Sequence, residues 1–345
     1  MSAAANEFFG VTGEGEDVRR LTLAGGGLTA SILDYGAVVQ DLRLSGHDAS
    51  LVLGFEEFSD YLDHSLFFGA MVGRCANRIR DGRFAIDGAR FEVEAGDFPH
   101  ALHGGAFGLH DRCWRVADFG PGHCSLSIVD PHRDNGYPGN LEITCTYRLK
   151  APGTLVVDVE ARTDQPTLCN LAHHSYFNLD DGGRGDILDH RLAIAASAYL
   201  PVDDELLPSG YVVPVEGTAF DFVLPRPIRL EWEAETMSYD HNFCLAAERG
   251  PLRQAAWVQG TRSGVEMEVW TTEPGLQFFD GAFTPRGGRG LDGVSYGARA
   301  GFCLEPQVWP DSPSFPHFPQ AVLRPGEVYR QVTEYRFRLP HEPRA

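Results

Sequence analysis

Leu141-Glu142-Ile143-Thr144-Cys145-Thr146-Tyr147-Arg148-Leu149 alternates apolar and polar residues without a break. A strand turns successive side chains to opposite faces, so this run predicts a strand buried on one side and wetted on the other. The same period recurs at Val265, Met267 and Val269 around Glu266 and Glu268, and at Tyr335, Phe337 and Leu339 around Glu334, Arg336 and Arg338. Asp87-Gly88 separates Arg83-Phe84-Ala85-Ile86 from Arg90-Phe91-Glu92-Val93, the pattern of a tight hairpin. No long helical period appears, and Glu56 to Leu62 is expected to form only a short helix. Turn formers recur throughout, with 39 Gly and 22 Pro. Many short strands with frequent turns predict an all-β sandwich or barrel. With no Pro- or Ser-rich linker and no internal repeat, residues 1–345 are expected to form a single domain.

The bulk composition narrows the function classes. A hydrophobic content of 43% with 22% charged residues leaves ample material for a core. A formal net charge of −19, with no dense Lys/Arg cluster, argues against nucleic acid or an anionic membrane as partner. No apolar run has the length of a membrane span, and the first residues show no signal-peptide pattern. The seven cysteines are scattered, odd in number and never spaced C-x-x-C. They suit reduced thiols in a cytoplasmic protein.

Chemistry concentrates in a few polar stretches. Asn170-Leu171-Ala172-His173-His174-Ser175-Tyr176-Phe177-Asn178-Leu179 carries two histidines, which titrate near neutral pH. In an extended chain His174, Tyr176 and Asn178 share one face, while His173, Ser175 and Phe177 share the other. Such a face lines a polar cleft or bonds its own backbone. Gly73-Arg74-Cys75-Ala76-Asn77-Arg78 offers two arginines and an asparagine, whose even spacing does not separate a ligand contact from a structural cation. His103 stands at a glycine turn, and Tyr239-Asp240-His241-Asn242-Phe243 forms a polar cluster that could equally be a turn. Gln277 and Glu305 lie inside apolar strand-like segments, where a polar group needs a partner.

Two familiar patterns are coincidental. Gly293-Val294-Ser295-Tyr296-Gly297 and Gly288-Arg289-Gly290-Leu291-Asp292-Gly293 lack the strand–turn–helix context of a nucleophile elbow or a dinucleotide loop. No cofactor is expected. His103, His174 and Glu305 are metal-ligating types but lack close spacing, so no metal is expected either. What remains is acids, bases and neutral hydrogen bonders without an activated nucleophile, an inventory suited to proton transfer on an uncharged, polyhydroxylated substrate.

These motifs, in this order and over nearly the whole chain, resemble the aldose 1-epimerase (galactose mutarotase) family. Gly136-Tyr137-Pro138-Gly139-Asn140-Leu141, Thr272-Glu273-Pro274-Gly275-Leu276-Gln277-Phe278 and Gly301-Phe302-Cys303-Leu304-Glu305 belong to the match. The resemblance implies a galactose mutarotase-like supersandwich that interconverts the α and β anomers of free aldoses such as glucose or galactose. It implies His174 as proton donor and Glu305 as proton acceptor. It assigns Asn77, Arg78, His103, Tyr176, Asp240 and Gln277 to sugar binding, favouring Arg78 over Arg74. The chain departs from the family pattern at Ala172, His173 and Pro306, where threonine, asparagine and threonine or serine are common. On this reading His174 is expected to be cationic and Glu305 anionic at rest, given mutual reach. The alternatives are a non-catalytic sugar binder on the same scaffold and a glycoside hydrolase using Asp240 and Glu305. The chain is expected to work as a monomer or homodimer.

Overall fold

The computed structural model describes residues 5–96, 99–229, 238–284 and 287–340. Its backbone is a nine-stranded antiparallel sheet running Arg115–Gly120, His123–Asp130, Leu141–Lys150, Thr154–Thr163, Tyr329–Arg338, Glu266–Thr271, Arg253–Gln259, Arg191–Ile194 and Arg226–Pro227. The run Leu141–Lys150 behaves as its alternation predicts, with Leu141, Ile143, Cys145, Tyr147 and Leu149 buried and Glu142, Thr144 and Lys150 exposed. Tyr335 and Phe337 turn inward likewise, and Glu334 and Arg336 outward. The predicted hairpin forms between Arg83–Ile86 and Ala89–Glu92. Asp87 and Gly88 take φ of 51° and 84°, as a two-residue primed turn requires. The short helix falls at Phe58–His64, two residues later than expected at its start, and is the only α-helix among the described residues. None of the described helices is long and apolar enough to cross a membrane.

A six-stranded sheet packs against the nine-stranded one, in the order Tyr176–Phe177, Phe302–Gln307, Gly275–Phe279, Asp240–Cys244, Ala198–Tyr199 and Val213–Pro214. Phe177 packs on Tyr335 at 5.0 Å between ring centroids, and the Tyr335 hydroxyl donates to the Leu304 carbonyl at 3.3 Å. One apolar cluster extends from Leu21 to Phe337 and fills the space between the layers. A further four-stranded sheet, Ala5–Val11 to Val39–Leu44, flanks it. Pro306 sits opposite Leu276, and pairing continues to Gly275 and Gln307, so it does not interrupt the ladder.

The Asn170–Leu179 stretch departs from a uniform strand. Ala172–His174 pairs with Ala70–Val72, and beyond Ser175 the chain changes partners so that Tyr176 opposes Cys303. Asn178 therefore leaves the face it was expected to share with His174 and Tyr176. The strand ends at Phe177, so period two no longer governs it, and its amide donates to the Ala300 carbonyl while its oxygen caps Asp180 and Asp181. Asn170 clamps the Val308 backbone.

His173 faces the opposite way from His174. Its Nε2 meets the Ser175 hydroxyl at 2.7 Å, and its ring lies between Tyr147 and Tyr335 of the large sheet. Burial lowers its pKa from 6.5 to about 3. Arg74 is also internal: its guanidinium pairs with Asp130 at 2.7 Å and donates to the carbonyls of Asp130, Pro131, Pro138 and Gly139 and to the Thr167 hydroxyl.

Arg74→Met should destabilise the fold by about 3 kcal/mol, the low end for one half of a buried pair, since Arg112 also lies 3.3 Å from Asp130. Urea denaturation measures it, and an unchanged midpoint would contradict this structural role. His173 gives a pH prediction. The unfolded chain takes up the proton near 6.5 and the folded chain only near 3, so stability falls with falling pH across that window. His173→Asn should remove this contribution, roughly 1.4 kcal/mol per pH unit at most, flattening the loss of unfolding free energy on acidification. An identical pH slope in both proteins would show that His173 is not held neutral.

Candidate active site

The six-stranded sheet, its Asn170–Leu179 edge and the loops above it enclose a cavity of about 210 Å³. This lies below the roughly 300–1,000 Å³ typical of sites for drug-sized ligands, so the cavity fits a small molecule. Among its lining residues are Asn77, Arg78, His103, His174, Tyr176, Asp240 and Glu305. Gln277 joins them through Asp240, whose Oδ1 accepts from Gln277 Nε2 at 2.6 Å. Every site residue expected from the sequence thus converges here.

Register explains the convergence. Gln277 pairs with Asn242 on one side and Glu305 on the other, so the ladder carries Asp240–Cys244, Gly275–Phe279 and Phe302–Gln307 side by side. The Asp240 cluster is accordingly a strand and not a turn. Tyr176 opposite Cys303 and His174 opposite Ala70 bring the remaining edge in. The His174 and Tyr176 rings stack at 5.2 Å. Arg78 pairs with Leu102 across a two-stranded ribbon, and its guanidinium reaches Asp240 at 3.7 Å. This separates the two arginines: Arg74 is structural and Arg78 faces the cavity.

Asn77 and His103 lock each other. His103 N–H donates to the Asn77 carbonyl, and Asn77 N–H donates to His103 Nδ1 at 3.2 Å. With Nδ1 accepting, the neutral ring carries its proton on Nε2 and acts as a donor there. This decides the metal question. The ligand atoms of His103, His174 and Glu305 lie within 4.8 Å of one another, closer than their sequence spacing suggests. A cation would nevertheless need a bare Nε2 on His103, which the Asn77 bond opposes. The donor set fits sugar hydroxyls better than a metal.

At the centre, His174 Nε2 lies 3.6 Å from Glu305 Oε2, with side chains 5% and 2% exposed. Glu305 Oε2, Gln277 Oε1 and the Tyr176 hydroxyl are buried with no hydrogen-bond partner among the described residues. Orphaned buried polar atoms are costly unless something else satisfies them, and here they surround the cavity. Burial, with Asp240 adding to it and Arg78 opposing, raises the Glu305 carboxyl well above its ordinary value. Burial and the nearby His110 lower His174 to about 3, against a bond to its own backbone. His103 is likewise held well below its ordinary value, first by burial and then by His174, Arg78 and His110. Burial also raises Asp240, offset by Arg78 and Gln277.

Both shifts run against the expected cation–anion pair in the empty site. Desolvation penalises both charges, pushing the Glu305 carboxyl up and the His174 imidazole down. Behind the ring, His174 Nδ1 meets Cys303 Sγ at 3.5 Å, leaving Nε2 directed at Glu305.

The sequence reading missed the apolar walls: Leu66, Phe67, Leu102, Leu206, Phe279 and Phe283. Phe279 was within reach, since alternation puts it on the face of Gln277. Phe67 and Leu206 carry no such signal. Both adopt left-handed backbone conformations, with φ of 61° each, as do Asn77 at 60° and His103 at 50°. Such conformations cost a residue with a side chain energy and gather where function holds them.

A family model described as Aldose 1-epimerase matches residues 19–336. The galactose mutarotase of Rattus norvegicus is 41% identical over 329 residues, covering 94% of this chain and 95% of that one. The aldose 1-epimerase of Escherichia coli K12 is 35% identical, covering 96% and 99% of the two chains. The crystal structure of an aldose epimerase homologue from C. elegans superposes with a TM-score of 0.86 at 30% identity, covering 97% of this chain and 99% of that chain. Geometry, motif order and these full-length likenesses agree: the chain belongs to the aldose 1-epimerase family.

Proposed function

We propose that the chain interconverts the α and β anomers of free aldoses, galactose and glucose among them, with Glu305 as proton acceptor and His174 as proton donor. The observation that carries the assignment is the placement of His174 Nε2 3.6 Å from Glu305 Oε2, both buried against a cavity lined by hydroxyl-binding groups. Hydrogen bonds between the sugar and Arg78, His103, Asp240 and Gln277, with the Asp240 carboxylate accepting, offset the cost of charge, and the shared proton passes from Glu305 to His174. Glu305, now ionised, takes the proton of the anomeric hydroxyl as the bond from the anomeric carbon to the ring oxygen breaks. The ring oxygen receives the proton of His174 Nε2. Opening leaves a neutral His174 and a protonated Glu305, the distribution that burial favours in the empty site. The aldehyde turns about its bond to the next carbon, and closure from the other face reverses both transfers.

Two rival readings fare worse. A pure sugar binder has no use for an acid and a base at one end of its cavity. Hydrolysis by Asp240 and Glu305 leaves His174 without a task, and Asp240 is engaged by Arg78 and Gln277. The working form is taken to be a monomer or a homodimer. The seven cysteines are free thiols, in keeping with the reducing cytoplasm as the working compartment.

Polarimetry on freshly dissolved α-D-galactose tests the roles. Glu305→Gln and His174→Asn should each lower kcat by roughly 10²–10⁴-fold while leaving sugar binding measurable. Arg78→Ala should act mainly on KM. Near-full activity in Glu305→Gln would remove the acceptor assignment, and a wild-type protein that does not hasten the decay of rotation would leave only the binder.

A further inference from the structure

Phe67 stands out among the cavity walls on four independent counts. Its backbone is left-handed, an unusual state for an aromatic residue. Its ring contacts three imidazoles, with centroids 4.7 Å from His103, 4.7 Å from His110 and 5.6 Å from His174. Together with Leu66 it lines both the sugar cavity and a second cleft of about 280 Å³. That cleft includes Tyr35, Tyr61, His110 and Asp111 and lacks His174 and Glu305. Finally, the turn that presents Phe67 is tied to His174 itself. Gly69 N–H donates to the His174 carbonyl at 3.0 Å, and Ala70 N–H donates to the Phe67 carbonyl at 3.0 Å.

We infer that Phe67 is a positioning residue for anomerisation, a partition whose ring holds the His174 and His103 imidazoles and separates the His174–Glu305 pair from water in the adjoining cleft. The inference rests on the roles given above to His174 and Glu305. Two consequences follow from the geometry. Removing the ring joins the cleft to the cavity, so water reaches groups that work by exclusion of water. It also removes a ring that packs on the His174 imidazole, degrading its aim at the ring oxygen, and misplacement of about 1 Å can cost as much as 100-fold in rate. Sugar hydroxyls would still meet Arg78, Asp240 and Gln277, which Phe67 does not hold.

The test is a set of substitutions at this one position, assayed by polarimetry with α-D-galactose and by thermal melting. Phe67→Ala and Phe67→Gly should lose roughly tenfold or more in kcat with KM changed by no more than about threefold. Phe67→Tyr should recover kcat to within about threefold of wild type, because the ring is restored. Phe67→Gly should melt no lower than Phe67→Ala, since glycine adopts the left-handed conformation freely, so lost activity cannot be laid to backbone strain. If alanine and glycine abolish cooperative melting, Phe67→Leu against Phe67→Tyr carries the test, with leucine expected to be the slower. The inference fails if Phe67→Ala keeps wild-type kcat, if KM alone changes, or if tyrosine turns over no faster than alanine or leucine. Glu305→Gln assayed alongside keeps the two failures apart. An active Glu305→Gln overturns the acid–base roles, whereas an inactive one beside a fully active Phe67→Ala overturns the partition alone.

Discussion

Two ionisable groups, His174 and Glu305, sit 3.6 Å apart with almost no exposure, and much of the surrounding structure answers to that placement. Taking both charges out of water costs several kcal/mol per ion unless new bonds compensate. In the empty site burial works against both charges, raising the Glu305 carboxyl and lowering the His174 imidazole. The bound sugar alters the balance, because its hydroxyls supply the hydrogen bonds that water supplied outside. Desolvation thus makes the pair responsive to the substrate, and catalysis draws on the same term that penalises the empty site.

The fold holds this pair by exchanging strand partners. One continuous strand from Asn170 to Leu179 would have packed wholly against a single neighbour. Instead the chain pairs with Ala70–Val72 up to His174 and with Phe302–Cys303 from Tyr176 onward. The change at Ser175 lets His174 face Glu305 from an adjoining ribbon while Tyr176 joins the sheet that carries Glu305. Behind the site His173 bonds Ser175, Asn170 clamps Val308 and Asn178 caps the following turn. Most polar groups of the stretch therefore support the geometry, and two of them, His174 and Tyr176, line the cavity.

Period two exposed the large sheet, because a strand with one wet face must alternate, and Leu141–Lys150 does so almost residue by residue. It failed at Asn178, where the strand has ended, and could not separate Arg74 from Arg78, whose spacing is even in either role. Resemblance to a family made that choice, and burial agrees with it: one guanidinium is ringed by carbonyls and Asp130, the other lines the cavity beside Asp240. The direction in which His174 and Glu305 shift was not legible, because mutual reach was weighed and desolvation was not. Phe67 and Leu206 were invisible for a different reason. An apolar residue carries no mark of the cavity it lines when an irregular turn, not a strand, sets its direction.

The nitrogen-15 chemical shifts of the His174 imidazole in the sugar-free protein near neutral pH report this balance directly. A neutral ring, with one nitrogen protonated and the other bare, is the predicted result. An imidazolium, with both nitrogens protonated beside an ionised Glu305, would contradict the claim that desolvation sets the resting state of the site.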